Sequence, residues 1–134
     1  MAQKSRKPEE YLSLKAETQK TVSYADYFSQ RPVFTALKIK NDGAQDENGL
    51  KIILRNENGL LLPFEKTVDV PFESTVELEV GNILSPLYFV SLEEEKTEEV
   101  IVELRTEKKI IFSQTLTVNT LPLPQRKQAS ISTE

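Results

Sequence analysis

Apolar residues recur at every second position through the middle of this chain, the period of a half-buried strand and not of a helix. Val33, Leu37 and Ile39 share one face, while Lys38 and Lys40 point the other way. Leu50, Ile52 and Leu54 alternate with Lys51, Ile53 and Arg55, and Val68 and Val70 flank Asp69. Val76, Leu78 and Val80 alternate with Glu77 and Glu79, and Val100, Val102 and Leu104 with Ile101, Glu103 and Arg105. Ile110, Phe112, Leu116 and Val118 face opposite to Ile111, Ser113, Thr115 and Thr117. Val33, Leu37, Ile39, Ile52, Leu54, Val76, Leu78, Val100, Val102, Leu104, Phe112, Leu116 and Val118 are expected inside, and Glu77, Glu79, Glu103 and Arg105 outside. Gln114 interrupts the last inward set, which predicts a bulge or an edge position. A weaker strand pattern covers residues 18–24.

Turn chemistry separates these runs. Asn41-Asp42-Gly43, Asn48-Gly49, Asn58-Gly59 and Glu107-Lys108 fall between them, as do Pro63, Pro71 and Pro86. Two short helices are expected, over 24–30 and 85–94, the second with Ser85 as cap and Pro86 at its first position. About seven short strands with frequent turns predict an all-β fold, an antiparallel β-sandwich in which each sheet has one wet and one dry face. A closed barrel is the next choice. A parallel α/β sheet is disfavoured because no long amphipathic helix separates the strands.

The chain has 134 residues, enough for about one domain. Its ends are poor in large apolar groups, so residues 1–14 are expected to form a flexible arm, 15–124 the sandwich and 125–134 a disordered tail. No internal repeat is visible. An apolar stretch long enough for a signal-peptide core or a membrane span is absent, and the expected compartment is the cytoplasm.

The composition argues against most catalytic chemistries. There is no His and no Cys, so the commonest general base, thiolate ligands and a cysteine nucleophile are all missing. Ser13 and Lys15 have the spacing of a Ser–Lys pair but no supporting loop, and are read as part of a solvated arm. The four glycines, Gly43, Gly49, Gly59 and Gly81, sit at strand ends outside any phosphate-binding motif. Hard oxygen donors crowd residues 41–49, where Asp42, Asp46, Glu47 and Asn48 suggest calcium. The twelfth position counted from Asp42 is Ile53, and the flanks are strands, so a solvated turn is preferred. Accordingly no catalytic, cofactor-binding or metal-ligating residue is assigned, no cofactor is expected, and the chain is read as not an enzyme.

Partners follow from charge. Seventeen Lys and Arg against twenty-one Asp and Glu give a net charge of −4, which opposes general binding to nucleic acid. Only Lys4, Arg6 and Lys7 at the head, and Arg126 and Lys127 at the tail, offer local basic groups. The acidic run Glu93-Glu94-Glu95-Lys96-Thr97-Glu98-Glu99 is read as a solvated loop, with a patch for a basic partner as the alternative. Leu121-Pro122-Leu123-Pro124 is read as a stiff exit from the last strand. Tyr24, Tyr27 and Phe28 gather before Arg31-Pro32, and with Asp26 among them they are expected to form a lid on one end of the sandwich. Tyr24 in particular is expected to pack inward and to hydrogen-bond through its hydroxyl.

The order of these features resembles the amino-terminal immunoglobulin-like domain of large bacterial superfamily-one helicase-related proteins. Val22-Ser23-Tyr24-Ala25 matches that family's strand leading into a Tyr-Ala segment, and Arg31-Pro32-Val33 its following Pro. Leu37-Lys38-Ile39-Lys40-Asn41 matches its strand ending in Asn, and Leu62-Pro63-Phe64 its Pro-Phe loop. Residues 75–80, 85–92 and 99–118 match its next strand, its leucine-rich short helix and its two long strands. After Leu121-Pro122-Leu123-Pro124-Gln125 the family has a Trp, where this chain has Arg126. The resemblance spans residues 18–125. It implies an immunoglobulin-like fold and an accessory role beside a motor, and carries over no catalytic residue.

The expected function is therefore a non-catalytic interaction or scaffold domain, associated in cis or in trans with a helicase-type protein. It would contact its protein partner through an edge strand or a loop end. The alternative is a secreted or surface adhesion module of similar fold.

Overall fold

A computed structural model describes residues 7–123 of the protein. In chain order its elements are α1 (Pro8–Tyr11), β1 (Leu12–Thr18), β2 (Thr21–Val22), α2 (Tyr24–Phe28), β3 (Phe34–Asn41), β4 (Glu47–Arg55), β5 (Phe64–Val70), β6 (Ser74–Glu77), α3 (Pro86–Val90), β7 (Lys96–Arg105) and β8 (Ile110–Thr120). The strands form two sheets, one ordered β1-β3-β6 and the other β2-β8-β7-β4-β5. Every pairing is antiparallel except that of β2 with β8, which is parallel. The fold is an all-β sandwich.

Alternation in the sequence explains the packing. Leu12, Ala16, Leu37 and Ile39 of the smaller sheet meet Leu50, Ile52, Leu54, Val100, Val102, Leu104 and Val118 of the larger one in a continuous core. Burying a side chain of this size stabilises by about 1.5–3 kcal/mol, so this two-sided layer is what makes the sheets stack. Val76, Phe112 and Leu116 face the same layer but are only half-buried. They lie on β6 and β8, at the margins of their sheets, where the opposite sheet no longer covers them fully.

Turns set the register. In the connection after β4, the Asn56 side-chain oxygen accepts from the Asn58 and Leu60 amides, and Gly59 has φ +85°. Between β7 and β8, Thr106 Oγ1 accepts from the Lys108 and Lys109 amides and closes the tight polar connection expected there.

Several expectations need correction. The arm expected over residues 1–14 is ordered from Pro8 onward. α1 and β1 occupy this stretch, and β1 pairs with β3 from Leu12↔Asn41 along its length. Alternation of Leu12, Leu14 and Ala16 was present, but only β3 beside it supplies the apolar face that makes so short a run a strand. Residues 1–6 and the tail expected over 125–134 lie outside the described residues. Among the described residues there are eight strands: the weak pattern over 18–24 becomes the end of β1, the two-residue β2 and the start of α2, and β1 is the additional strand. Glu103, expected outside and solvated, is buried at 7% exposure. It lies on the outer face of β7, beside Ile53 of β4 and Ser113 of β8, with the Arg55 guanidinium 2.9 Å away. Arg105 is half-buried on the same face. The β8 bulge falls at Ile111, which is left without an opposite residue between the pairs Leu104↔Phe112 and Arg105↔Ile110. Gln114 pairs regularly with Val102 and occupies an edge position.

Candidate functional site

One end of the sandwich gathers α2, α3, the turn after β4, the start of β7 and the end of β8. Local chemistry builds both helices. Ser23 caps α2 by accepting from the Ala25 amide at 3.2 Å, and Asp26 returns the bond by accepting from the Ser23 amide at 2.7 Å. Asp26 is itself buried and paired with Arg31 at 3.4 Å. α3 starts on Pro86, whose fixed φ suits a first helical position, although Ser85 makes no side-chain cap bond.

A buried carboxylate holds α3 down. Glu98 is 2% exposed and points inward from β7, opposite Val118. Tyr88 of α3 donates to its Oε2 at 2.6 Å, and Asn56 and Asn58 donate to its Oε1 at 3.1 and 2.9 Å. The Tyr88 hydroxyl also meets Thr120 Oγ1 at 3.0 Å, so a single cluster joins α3, the turn after β4, β7 and the end of β8. Burial alone would raise the Glu98 pKa. The bonds from Tyr88, Asn56 and Asn58, with Lys96 nearby, outweigh burial and hold the carboxyl below its usual range. Burial, and then the Glu98 carboxylate, push the Tyr88 phenol up to about 12. Near neutral pH one partner is thus a charged acceptor and the other a neutral donor, which suits an anchor. Three protein donors already engage the carboxylate, two on Oε1 and one on Oε2.

This anchor dictates what α3 presents. Tyr88 is drawn to Glu98, and Phe89 is fully buried with its ring 5.2 Å from that of Tyr88. Leu87 and Val90, three residues apart on the opposite side, are therefore turned outward at 76% and 64% exposure. α2 does likewise. Tyr24 and Tyr27 pack on the core with ring centroids 5.5 Å apart, and Phe28 is left 75% exposed. The two helices lie against each other, and Asn82, in the segment before α3, donates to the Tyr27 carbonyl of α2 at 2.9 Å. Glu93, Glu94 and Glu95, all exposed, follow α3 after Ser91 and Leu92. Phe28, Leu87 and Val90 are thus exposed apolar groups on two helices in contact.

The other sequence candidates are placed as follows. Ser13 and Lys15 both lie exposed on the outer face of β1. Lys15 reaches Glu17 at 3.7 Å, and among the described residues no hydrogen bond joins it to Ser13. In the oxygen-rich loop, Asn41 donates to the Gln45 and Val70 carbonyls and accepts from the Gly43 amide. Asp42 pairs with Lys40, Asp46 accepts from the Phe72 amide, and Glu47 accepts from the Tyr11 hydroxyl. Those oxygens brace the β3–β4 connection from different sides. Within the acidic run, Lys96, Thr97, Glu98 and Glu99 are strand, which corrects the loop reading for those four residues. Glu98 was visible in parity, since it falls in the same even-numbered series as Val100, Val102 and Leu104. Leu121 continues beside β2, its amide donating to the Val22 carbonyl at 3.0 Å. Lys7 is exposed, and Lys4, Arg6, Arg126 and Lys127 lie outside the described residues. Among the described residues no helix is long and apolar enough to cross a membrane.

No protein-family model, no curated protein and no solved structure matches this chain.

Proposed function

We propose that this protein is a non-catalytic interaction domain of immunoglobulin-like topology that docks a protein partner on its helical end. The observation that carries the reading is the outward placement of Phe28, Leu87 and Val90 on two helices whose other sides are anchored by hydrogen bonds and core packing. These three are the most exposed of the large apolar groups among the described residues, and gathered apolar groups in water are what mark an interaction site. The acidic residues Glu93, Glu94 and Glu95 beside them favour a partner surface with an apolar centre and basic margin.

The strand order supports the immunoglobulin-like assignment. β1-β3-β6 corresponds to strands A, B and E of that topology. β8-β7-β4-β5 corresponds to G, F, C and an added strand beside C, with β2 as a short parallel continuation of the first strand on G. With the sequence resemblance, this favours an accessory domain, or free-standing relative, of a cytoplasmic helicase-type protein.

The test replaces Phe28, Leu87 and Val90 together by Ser. Exposed side chains contribute little to folding, so the unfolding midpoint of the triple variant should match the unchanged chain. Recovered from its native host, the unchanged chain should retain a stoichiometric protein that the variant loses. Equal retention by both, or a collapse of the variant's midpoint, would contradict the proposal.

A further inference from the structure

β8 poses a separate question at the margin of the larger sheet. It is the longest strand, eleven residues, and pairs along its length with β7. On its other side β2 covers only Asn119 and Thr120. Among the described residues that edge carries no strand partner between Ile110 and Val118; β1 and α1 lie against β8, but β1 belongs to the other sheet and pairs with β3. Open edges are a liability that proteins usually blunt with charge, proline or shortness. The other margins follow this rule. β5 carries Glu65, Lys66 and Asp69, β1 carries Lys15 and Glu17, and β6 is four residues long and ends in Glu77. β8 has no charged residue, no Pro and no Gly.

Gln114 adds an independent observation. It stands at the middle of the open stretch, in the inward series between Phe112 and Leu116, and all three are half-buried. Its side-chain amide has no hydrogen-bond partner among the described residues. A primary amide both donates and accepts, so its natural complement is a second amide.

We infer that β8 pairs antiparallel with β8 of a second copy of this chain, about a two-fold axis through Gln114. In that register Gln114 faces Gln114 of the other copy and each amide satisfies the other. Ser113 faces Thr115, Phe112 faces Leu116, and Ile111 faces Thr117, each pair occurring twice. The two half-buried apolar residues flanking Gln114 gain the cover that their own sandwich does not give them. Self-pairing about a dyad brings each charge in the strand near its own copy, and the neutrality of β8 removes that repulsion. Closing the two edges on each other also removes the open template for further growth, leaving a dimer whose two larger sheets join across the β8 seam into eight strands side by side, with each β2 at the end of that seam. The helical end is not part of this contact, so the dimer would present two copies of the docking surface.

The full chain is examined by sedimentation equilibrium over a wide concentration range at near-physiological salt. A reversible dimer is expected. Gln114→Glu places two like charges at the dyad and should weaken association by at least about tenfold, with the circular dichroism spectrum unchanged. Because the chain has no Cys, single cysteines report position directly. Gln114→Cys should form a covalent dimer under mild oxidation, whereas Thr117→Cys, which faces Ile111, should not. A strictly monomeric chain, an open-ended series of larger species, undiminished association of Gln114→Glu, or equal cross-linking at both positions would overturn the inference.

Discussion

Glu98 is the residue on which the helical end depends. Its carboxyl is held below its usual range in the fold, so it stabilises the protein above the ordinary carboxylate range. That contribution is lost as pH falls through the folded value. Glu98→Gln should therefore lower the unfolding midpoint at neutral pH and flatten its decline in acid, as followed by thermal melts across pH. Tyr88 behaves in the opposite sense. Its phenol is raised from 10.0 to about 12, so its contribution is complete below the ordinary phenol range and lost as pH rises through the folded value. Tyr88→Phe should flatten that alkaline limb. Gly43 is a packing position. A Cβ there would lie 2.7 Å from the Tyr11 ring and 3.0 Å from its Cγ, atoms near the ring's attachment that cannot swing away cheaply. Gly43→Ala should cost about 1–3 kcal/mol, as overpacking does, and a denaturant midpoint equal to that of the unchanged chain would contradict the close approach. None of these three roles is readable from residue type alone. Parity exposed the inward direction of Glu98, but its donors come from residues 10 to 42 positions away and meet only in the folded chain.

Elements were legible where the chain supplies its own instruction. Alternation marks the period-two runs of β3, β4, β7 and β8, and Pro86 marks α3. β1 was not legible, because a seven-residue run with one exposed lysine and two exposed acceptors states its direction only once β3 lies beside it. Removing everything before residue 15, the boundary that composition suggests, would strip buried Leu12 and the Tyr11 contacts to Glu47 and the Asp42 amide. The shortened chain should melt well below the full one, and an equal midpoint would restore the flexible-arm reading. In α2, Tyr24 packs half-buried on the core as expected, but among the described residues its hydroxyl finds no hydrogen-bond partner. Tyr24→Ala thus removes packing alone, at a cost within the usual range of about 0.5–3 kcal/mol. Tyr24→Phe should be neutral, and a penalty for Phe as large as that for Ala would show that the hydroxyl matters.

At the scale of the whole molecule, the proposed function lies on surfaces and the interior is structural. The sandwich was legible because two sheets need two dry faces, and the sequence supplies both. The helical end was only half legible. The aromatic cluster before Pro32 marked α2, but nothing in the sequence brings α3 against it. Protein and nucleic-acid partners are separated by charge. With a net charge of −4, titration with labelled single- and double-stranded DNA at about 0.15 M salt should give no submicromolar binding. Tight binding that persists there would move the partner from protein to nucleic acid. The most direct measurement of the central claim uses a photo-activatable aromatic residue placed, in the native host, at Leu87 on the helical end or at Lys38 on the outer face of the smaller sheet. The account predicts a discrete protein adduct from position 87, abolished by Phe28→Asp in the same chain and absent from position 38. Adducts of equal yield at both positions, or adducts to nucleic acid from position 87, would contradict it.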